Sequence, residues 1–161
     1  MEIIRHAALA DLEALTAVET ACFPPAEAAT REEFAARLEV YADCFWLLEE
    51  DGKIVAFVNG MVSGEPTIRD ELFADASLHD PDGDWQMIFG VNTLPEYRRH
   101  GRAARLLRQA EADARARGRK GCVLTCKAER VHYYESLGYR NEGISASVHG
   151  GAVWYDMRLT F

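Results

Sequence analysis

The chain has 161 residues, 48% hydrophobic and 27% charged, which predicts one domain with a core of its own and excludes a disordered polyampholyte. No apolar run approaches the ~20 residues of a membrane span, the acidic start MEIIRHAALADLE lacks a signal core, and the four cysteines form no Cys-x-x-Cys pair of the kind a zinc knuckle uses. The net charge of −8 is divided unevenly: residues 1–84 carry 19 Asp/Glu and 5 Lys/Arg, net −14, and residues 85–161 carry 7 and 13, net +6. An acidic half suits a cationic ligand and a basic half a polyanionic one. The acidic total and the lack of a reading motif argue against nucleic acid. Together these features predict a cytoplasmic protein, monomer or homodimer, with no membrane partner.

Glu2–His6 alternates weakly and reads as a first strand. Leu12, Leu15 and Val18 recur at helical spacing after Asp11, and Cys22-Phe23-Pro24-Pro25 ends that helix. Thr30-x-x-Glu33 is a capping box opening a second helix with Phe34 and Leu38 inside. Cys44–Glu50 and Lys53–Val62 are strands joined at Asp51-Gly52, the best hairpin turn in the chain. Gly64–Asp84 is less regular, with a short helix around Asp70–Ser77 and a turn at Pro81-Asp82-Gly83. Trp85–Thr93 is apolar enough to be a central strand, and Gly90 within it predicts a bulge or a close backbone approach.

The stretch Val91–Leu107, VNTLPEYRRHGRAARLL, organises the rest. A strand is stopped by Pro95, an arginine-rich loop follows, and a helix begins after Gly101. Arg98-x-x-Gly101-x-Ala103 puts free backbone N–H groups at a helix N-terminus, where phosphate binds readily. The helix buries Ala103, Leu106, Leu107, Ala110 and Ala114 and ends near Gly118. A strand over Gly121–Lys127 follows, with Cys122 and Cys126 packing as small hydrophobes. A short helix over Glu129–Leu137 precedes a closing hairpin, Tyr139–Val148 and Ala152–Leu159, turning at His149-Gly150-Gly151.

Strand, proline, Arg-x-x-Gly-x-Ala and helix together resemble the pyrophosphate loop of the GCN5-related N-acetyltransferase (GNAT) superfamily, whose pattern is Arg/Gln-x-x-Gly-x-Gly/Ala. The resemblance implies an α/β (α+β mixed sheet) fold: a central mixed sheet of six to seven strands, flanked by about four helices and splayed after strand 4. It makes residues 1–161 one N-acetyltransferase domain. It also implies acetyl-CoA as co-substrate and no metal, with cofactor contacts from Val91, Asn92, Thr93, Arg98, Arg99, His100, Gly101, Arg102, Ala103 and Ala104. Backbone N–H groups near Thr93 would hold the acetyl oxygen. Tyr133-Tyr134-Glu135-Ser136-Leu137-Gly138-Tyr139 resembles the family's FYExxGF segment, which places the catalytic tyrosine at Tyr134. A tyrosine beside the sulfur can protonate the departing thiolate or hold it by a hydrogen bond.

Within the superfamily the chain is most similar to arylalkylamine (serotonin-type) N-acetyltransferases and their microbial members, from about Leu78 to Leu107 and in the loop Phe23–Ala29. The two histidines of the vertebrate proton relay fall on Met87 and Phe89, which accept no proton, and Lys127 stands where many members have Asn. A primary ammonium with a pKa of roughly 10 still has to lose a proton. Glu27 is the first candidate base, with His79, His149 and solvent behind it. Phe23 is the best aromatic for an acceptor pocket, whereas Phe45, Trp46, Phe57 and Trp85 read mostly as core. Cys126 has no adjacent base and is a poor nucleophile candidate. The expected reaction is acetyl transfer to a small cationic or arylalkyl-type amine by direct attack. The rivals are a protein N-terminal or lysine acetyltransferase and a non-catalytic acyl-CoA sensor.

Overall fold

In chain order the elements are β1 (Glu2–Arg5), α1 (Leu12–Cys22), α2 (Arg31–Tyr41), β2 (Phe45–Glu50), β3 (Lys53–Asn59), β4 (Val62–Ser63), α3 (Asp70–Ala74), β5 (Trp85–Ile88) and β6 (Gly90–Thr93). They continue with α4 (Arg102–Ala116), β7 (Gly121–Cys126), α5 (Val131–Ser136), β8 (Arg140–Ile144) and β9 (Tyr155–Thr160). The structure is a computed structural model and describes residues 1–161.

The strands form a four-stranded sheet, β1-β2-β3-β6, and a five-stranded sheet, β4-β5-β7-β9-β8. Every pairing is antiparallel except β5 with β7. The stretch Trp85–Thr93 therefore serves both sheets. Residues 85–88 pair in parallel with β7, and residues 90–93 pair with β3. The change of partner comes at Phe89. A matching break separates β3 from β4 at Gly60, where a Cβ would lie 1.9 Å from the Met87 carbonyl oxygen, so only glycine fits. Past Ile88 and Leu124 the parallel ladder stops, and a cleft opens between β6 and β7. This is the splay that the resemblance implies. With each kinked pair counted as one strand, the sheet has seven strands, and five α-helices flank it rather than about four.

Local chemistry sets the elements. Asp51 and Gly52 both take positive φ, 51° and 82°, the type I′ hairpin geometry. The Thr30 hydroxyl accepts from Glu33 N at 3.1 Å while the Glu33 carboxylate accepts from Thr30 N at 2.9 Å, closing the capping box. Leu106, Leu107, Ala110 and Ala114 are the buried stripe of α4. Phe45, Trp46 and Phe57 are core, while Trp85 is half-buried under the Arg158 guanidinium. The closing hairpin departs from expectation: strand structure ends at Ile144, not Val148, and resumes at Tyr155. Side-chain bonds compete with the ladder there. Ser145 Oγ accepts from Ser147 N at 3.1 Å, and Asp70 accepts from Val148 N at 3.1 Å. The freed segment becomes a ten-residue loop reaching toward the cleft.

Candidate active site

The cleft has a volume of about 750 Å³ and runs from the α4 N-terminus, between β6 and β7, to the loop between α1 and α2. Arg99 and Gly101 both take left-handed backbone, φ 69° and 76°, and α4 starts immediately after. The left-handed pair and the free N–H groups of the first helical turn make a concave anion site. Arg98, Arg99, Gly101, Arg102, Ala103 and Ala104 all line it. The Arg102 side chain is committed elsewhere, donating to Glu50 at 2.9 Å and to the Tyr97 carbonyl at 2.8 Å, so its backbone is what faces the cleft entrance. A Cβ on Gly101 would meet nothing closer than Arg105 Nη1 at 3.7 Å, so the backbone angle, not crowding by the protein, is what favours glycine. A polyanion fits this end.

Leu94 N donates to the Val55 carbonyl at 2.9 Å in the β3–β6 ladder. N–H groups alternate along a strand, so those of Val91 and Thr93 face the opposite way, and both residues line the cleft. Two expected contacts do not line it. Asn92 turns to the other face of β6 and donates to Glu19 at 2.7 Å, and His100 is exposed on the loop.

Tyr134 is buried against the cleft with Cys126, Leu124 and Ile88 around the same stretch. Burial raises its pKa well above the usual phenol value, and its ring packs edge-on to Tyr133 at 5.1 Å and to Tyr139 at 6.1 Å. Tyr133 borders the cleft too. Burial pushes the Cys126 thiol up to about 11, leaving it protonated at neutral pH and a poor nucleophile.

The other end is walled by Phe23, Phe73, Phe89, His149 and Trp154 and carries Glu19, Glu27, Glu33, Arg37 and Lys127. Glu27 forms an ion pair with Lys127 at 2.7 Å, and the Glu27 carbonyl lies 2.7 Å from His149 Nε2. Trp154 Nε1 donates to the His149 carbonyl at 2.8 Å. The α1–α2 loop is thereby tied to the end of β7 and to the β8–β9 loop. His79 is not here: its Nδ1 accepts from Val62 N at 3.0 Å, its ring lies on Tyr41, and burial depresses its pKa. It is removed from the candidate bases.

Glu19 and Arg37 escaped the sequence reading. Glu19 sits on the apolar stripe of α1 with Leu12, Leu15 and Val18, and its carboxylate accepts from Ala29 N at 2.8 Å and from Asn92. Arg37, between Phe34 and Leu38 on α2, donates to Asn59 Oδ1 at 3.0 Å and to the Phe73 carbonyl at 2.9 Å, with Phe34 and Phe89 against its guanidinium. The available signal was a charge at an inward helical position in each case.

Human N-acetyltransferase 8 is 27% identical over 105 residues, which are 63% of this chain and 40% of that protein, so the chain spans well under half the length of this curated relative. The loading GNATL domain of CurA from Lyngbya majuscula shares the fold with a TM-score of 0.86 at 18% identity, over 99% of this chain and 98% of that one. The GNAT-like decarboxylase GphF, in complex with isobutyryl-CoA, gives 0.80 at 25% identity over 98% of both chains. Residues 12–139 match the family described as acetyltransferase (GNAT). With that match over most of its length, and with the splayed strands and left-handed loop before α4 just described, the chain belongs to the acetyltransferase (GNAT) family.

Proposed function

We propose that residues 1–161 are one cytoplasmic, acetyl-CoA-dependent N-acetyltransferase domain acting on a primary amine of a small cationic, arylalkyl-type acceptor. The observation that carries the small-acceptor reading is the tie across the acceptor end. The Glu27–Lys127 ion pair and the His149–Glu27 contact, both at 2.7 Å, hold three segments together at this end, which favours a small acceptor over an extended peptide. Aromatic walls from Phe23, Phe73, Phe89 and Trp154 suit an apolar body, and three carboxylates against two cations suit an ammonium.

Bound acetyl-CoA supplies an activated acetyl carbonyl. Backbone N–H groups of the Arg99–Ala104 loop hold its phosphates, and those of Val91 and Thr93 orient its arm and the acetyl oxygen. The amine attacks directly. Tyr134 protonates or hydrogen-bonds the departing thiolate. A panel of amines and short peptides, read by thiol release from acetyl-CoA, tests the proposal. Turnover confined to peptides overturns the small-amine reading.

One observation favours a second reading. Arg37 is a buried cation on the cleft wall whose Nε has no partner, and a carboxylate on the acyl group would satisfy it. That would suit decarboxylation of a carboxyacyl-CoA, and the similar protein GphF is a GNAT-like decarboxylase. Carbon dioxide release from malonyl-CoA, without amine, would select it.

A further inference from the structure

The strand that borders the reacting centre carries no proton acceptor, since Met87 and Phe89 are apolar and Gly90 has no side chain. The side chains packed over Gly90 are nevertheless polar. A Cβ built there would lie 2.9 Å from Asn92 Oδ1, 3.3 Å from Asn59 Nδ2 and 3.8 Å from Glu19 Oε1. Those atoms come from β6, β3 and α1 and converge where a strand side chain would begin. Gly90, Asn59 and Glu19 all line the cleft.

Neighbours fix both amides. Arg37 donates to Asn59 Oδ1, and Asn92 Nδ2 donates to Glu19 Oε1. Asn92 Oδ1 is left as an acceptor without a partner in a residue only 1% exposed. Each Glu19 oxygen accepts one bond and keeps a lone pair for another. Glu19 lines the cleft, so the free lone pairs of its carboxylate can accept from an ammonium bound there.

We infer that the Glu19 carboxylate, held in place by Asn92, is the ammonium subsite beside Gly90, and that Glu19, rather than Glu27, takes the proton that the acceptor amine must lose. The inference rests on the N-acetyltransferase reading. One proton passes from the ammonium to the Glu19 carboxylate. The neutral nitrogen forms the C–N bond as the C–S bond breaks, and its second proton balances the thiolate. Glu19 then releases its proton to solvent. The groups facing Glu19 are Arg37 and Glu33 from α2, Asn92 from β6, Ala29 N from the following loop and Cys22 on its own helix. Burial outweighs the hydrogen bonds and Arg37 and raises its pKa, toward the range that suits a base at neutral pH. Glu27 is less suited, because its carboxylate is engaged by Lys127.

The test compares Glu19→Gln with Glu27→Gln. Glutamine keeps the shape and can still accept from Ala29 N. At pH 7, Glu19→Gln should lower kcat/KM for an alkylamine about 10²-fold, and its rate should then climb about tenfold per pH unit toward the amine pKa of roughly 10. The wild type should be flat above its acidic limb. With an arylamine, already neutral at pH 7, the variant and wild type should agree. A purely structural role would depress both acceptors equally and leave the profile shape unchanged, and that outcome overturns the inference. So does the steep profile appearing in Glu27→Gln instead. Calorimetric binding of phenethylamine is read independently of turnover and should weaken at least tenfold in Glu19→Gln. Equal affinities refute the subsite even if no acetyl transfer is found, whereas wild-type binding without turnover refutes the transferase reading alone.

Discussion

Replacing Lys127 by Met removes one partner of the pair that ties the α1–α2 loop across the cleft, together with the ammonium 5.7 Å over the Trp154 ring. The Lys127 and Glu27 side chains are 34% and 10% exposed and 2.7 Å apart, between the surface and buried regimes. Exposed pairs contribute under ~1 kcal/mol, and stranding a buried charge costs ~3–5 kcal/mol. An intermediate loss of about 2 kcal/mol is expected for Lys127→Met, because Glu27 stays behind in a desolvated place. For a domain of this size that lowers Tm by about 4–8 °C. Adding Glu27→Gln removes the stranded charge and should restore about half of the loss. Urea unfolding of the wild type, the two single variants and the double variant closes the cycle. The loop should also loosen, with faster amide exchange over residues 23–30 and a rise in KM for small amines. A double variant whose loss equals the sum of the two single losses would refute the coupling, and unchanged exchange would refute the tie.

Three further outcomes are expected. Gly101→Ala forces a side chain into φ 76° and should cost about 1 kcal/mol in unfolding experiments, with a weaker acetyl-CoA affinity in calorimetry; unchanged affinity would remove the loop from the cofactor site. Tyr134→Phe keeps the buried ring and its edge-on packing and should fold normally, and should lose about 10²-fold in kcat; Tyr133→Phe, on a ring that also borders the cleft, should lose far less. Asp11 accepts from Arg5 at 2.8 and 2.9 Å, which holds its pKa below the usual 3.8. A lowered folded pKa means that the stabilisation is fully present above 3.8 and disappears as pH falls through the folded value. Asp11→Asn should therefore cost about 1 kcal/mol at pH 7 and nothing once wild-type Asp11 is protonated, as chemical unfolding at several pH values will show.

Periodicity and punctuation carry the elements well. Thr30-x-x-Glu33, Asp51-Gly52 and Gly118 each mark a boundary because the residue type satisfies a local backbone need, and such needs are visible in a short window. The phosphate loop is legible for the same reason. The acceptor end is not, because its groups come from far-apart segments: Glu27 meets Lys127 across 100 residues, and Asn92 meets Glu19 across 73. Asn92 shows the limit most directly. Its place beside Val91 and Thr93 suggested a cofactor contact, but strand alternation turns it to the opposite face. The change of partner at Phe89 was likewise hidden, since WQMIFGVNT reads as one apolar run. Only Gly90 hinted at it.

The placing of β9 between β7 and β8 bears on how the molecule is made. In the first sheet β2 and β3 form a hairpin and can pair early, while β1 and β6 join it from distant segments. In the second sheet β7 and β8 are joined only through Tyr155–Thr160, which follows both of them in sequence. Without β9 that edge of β7 is unpaired along Gly121–Cys126. β9 thus holds β7 from one edge as β5 does from the other, and it is β7 that brings Leu124, Thr125 and Cys126 to the cleft wall, so a break in the β7–β9 ladder would reach the cleft through β7.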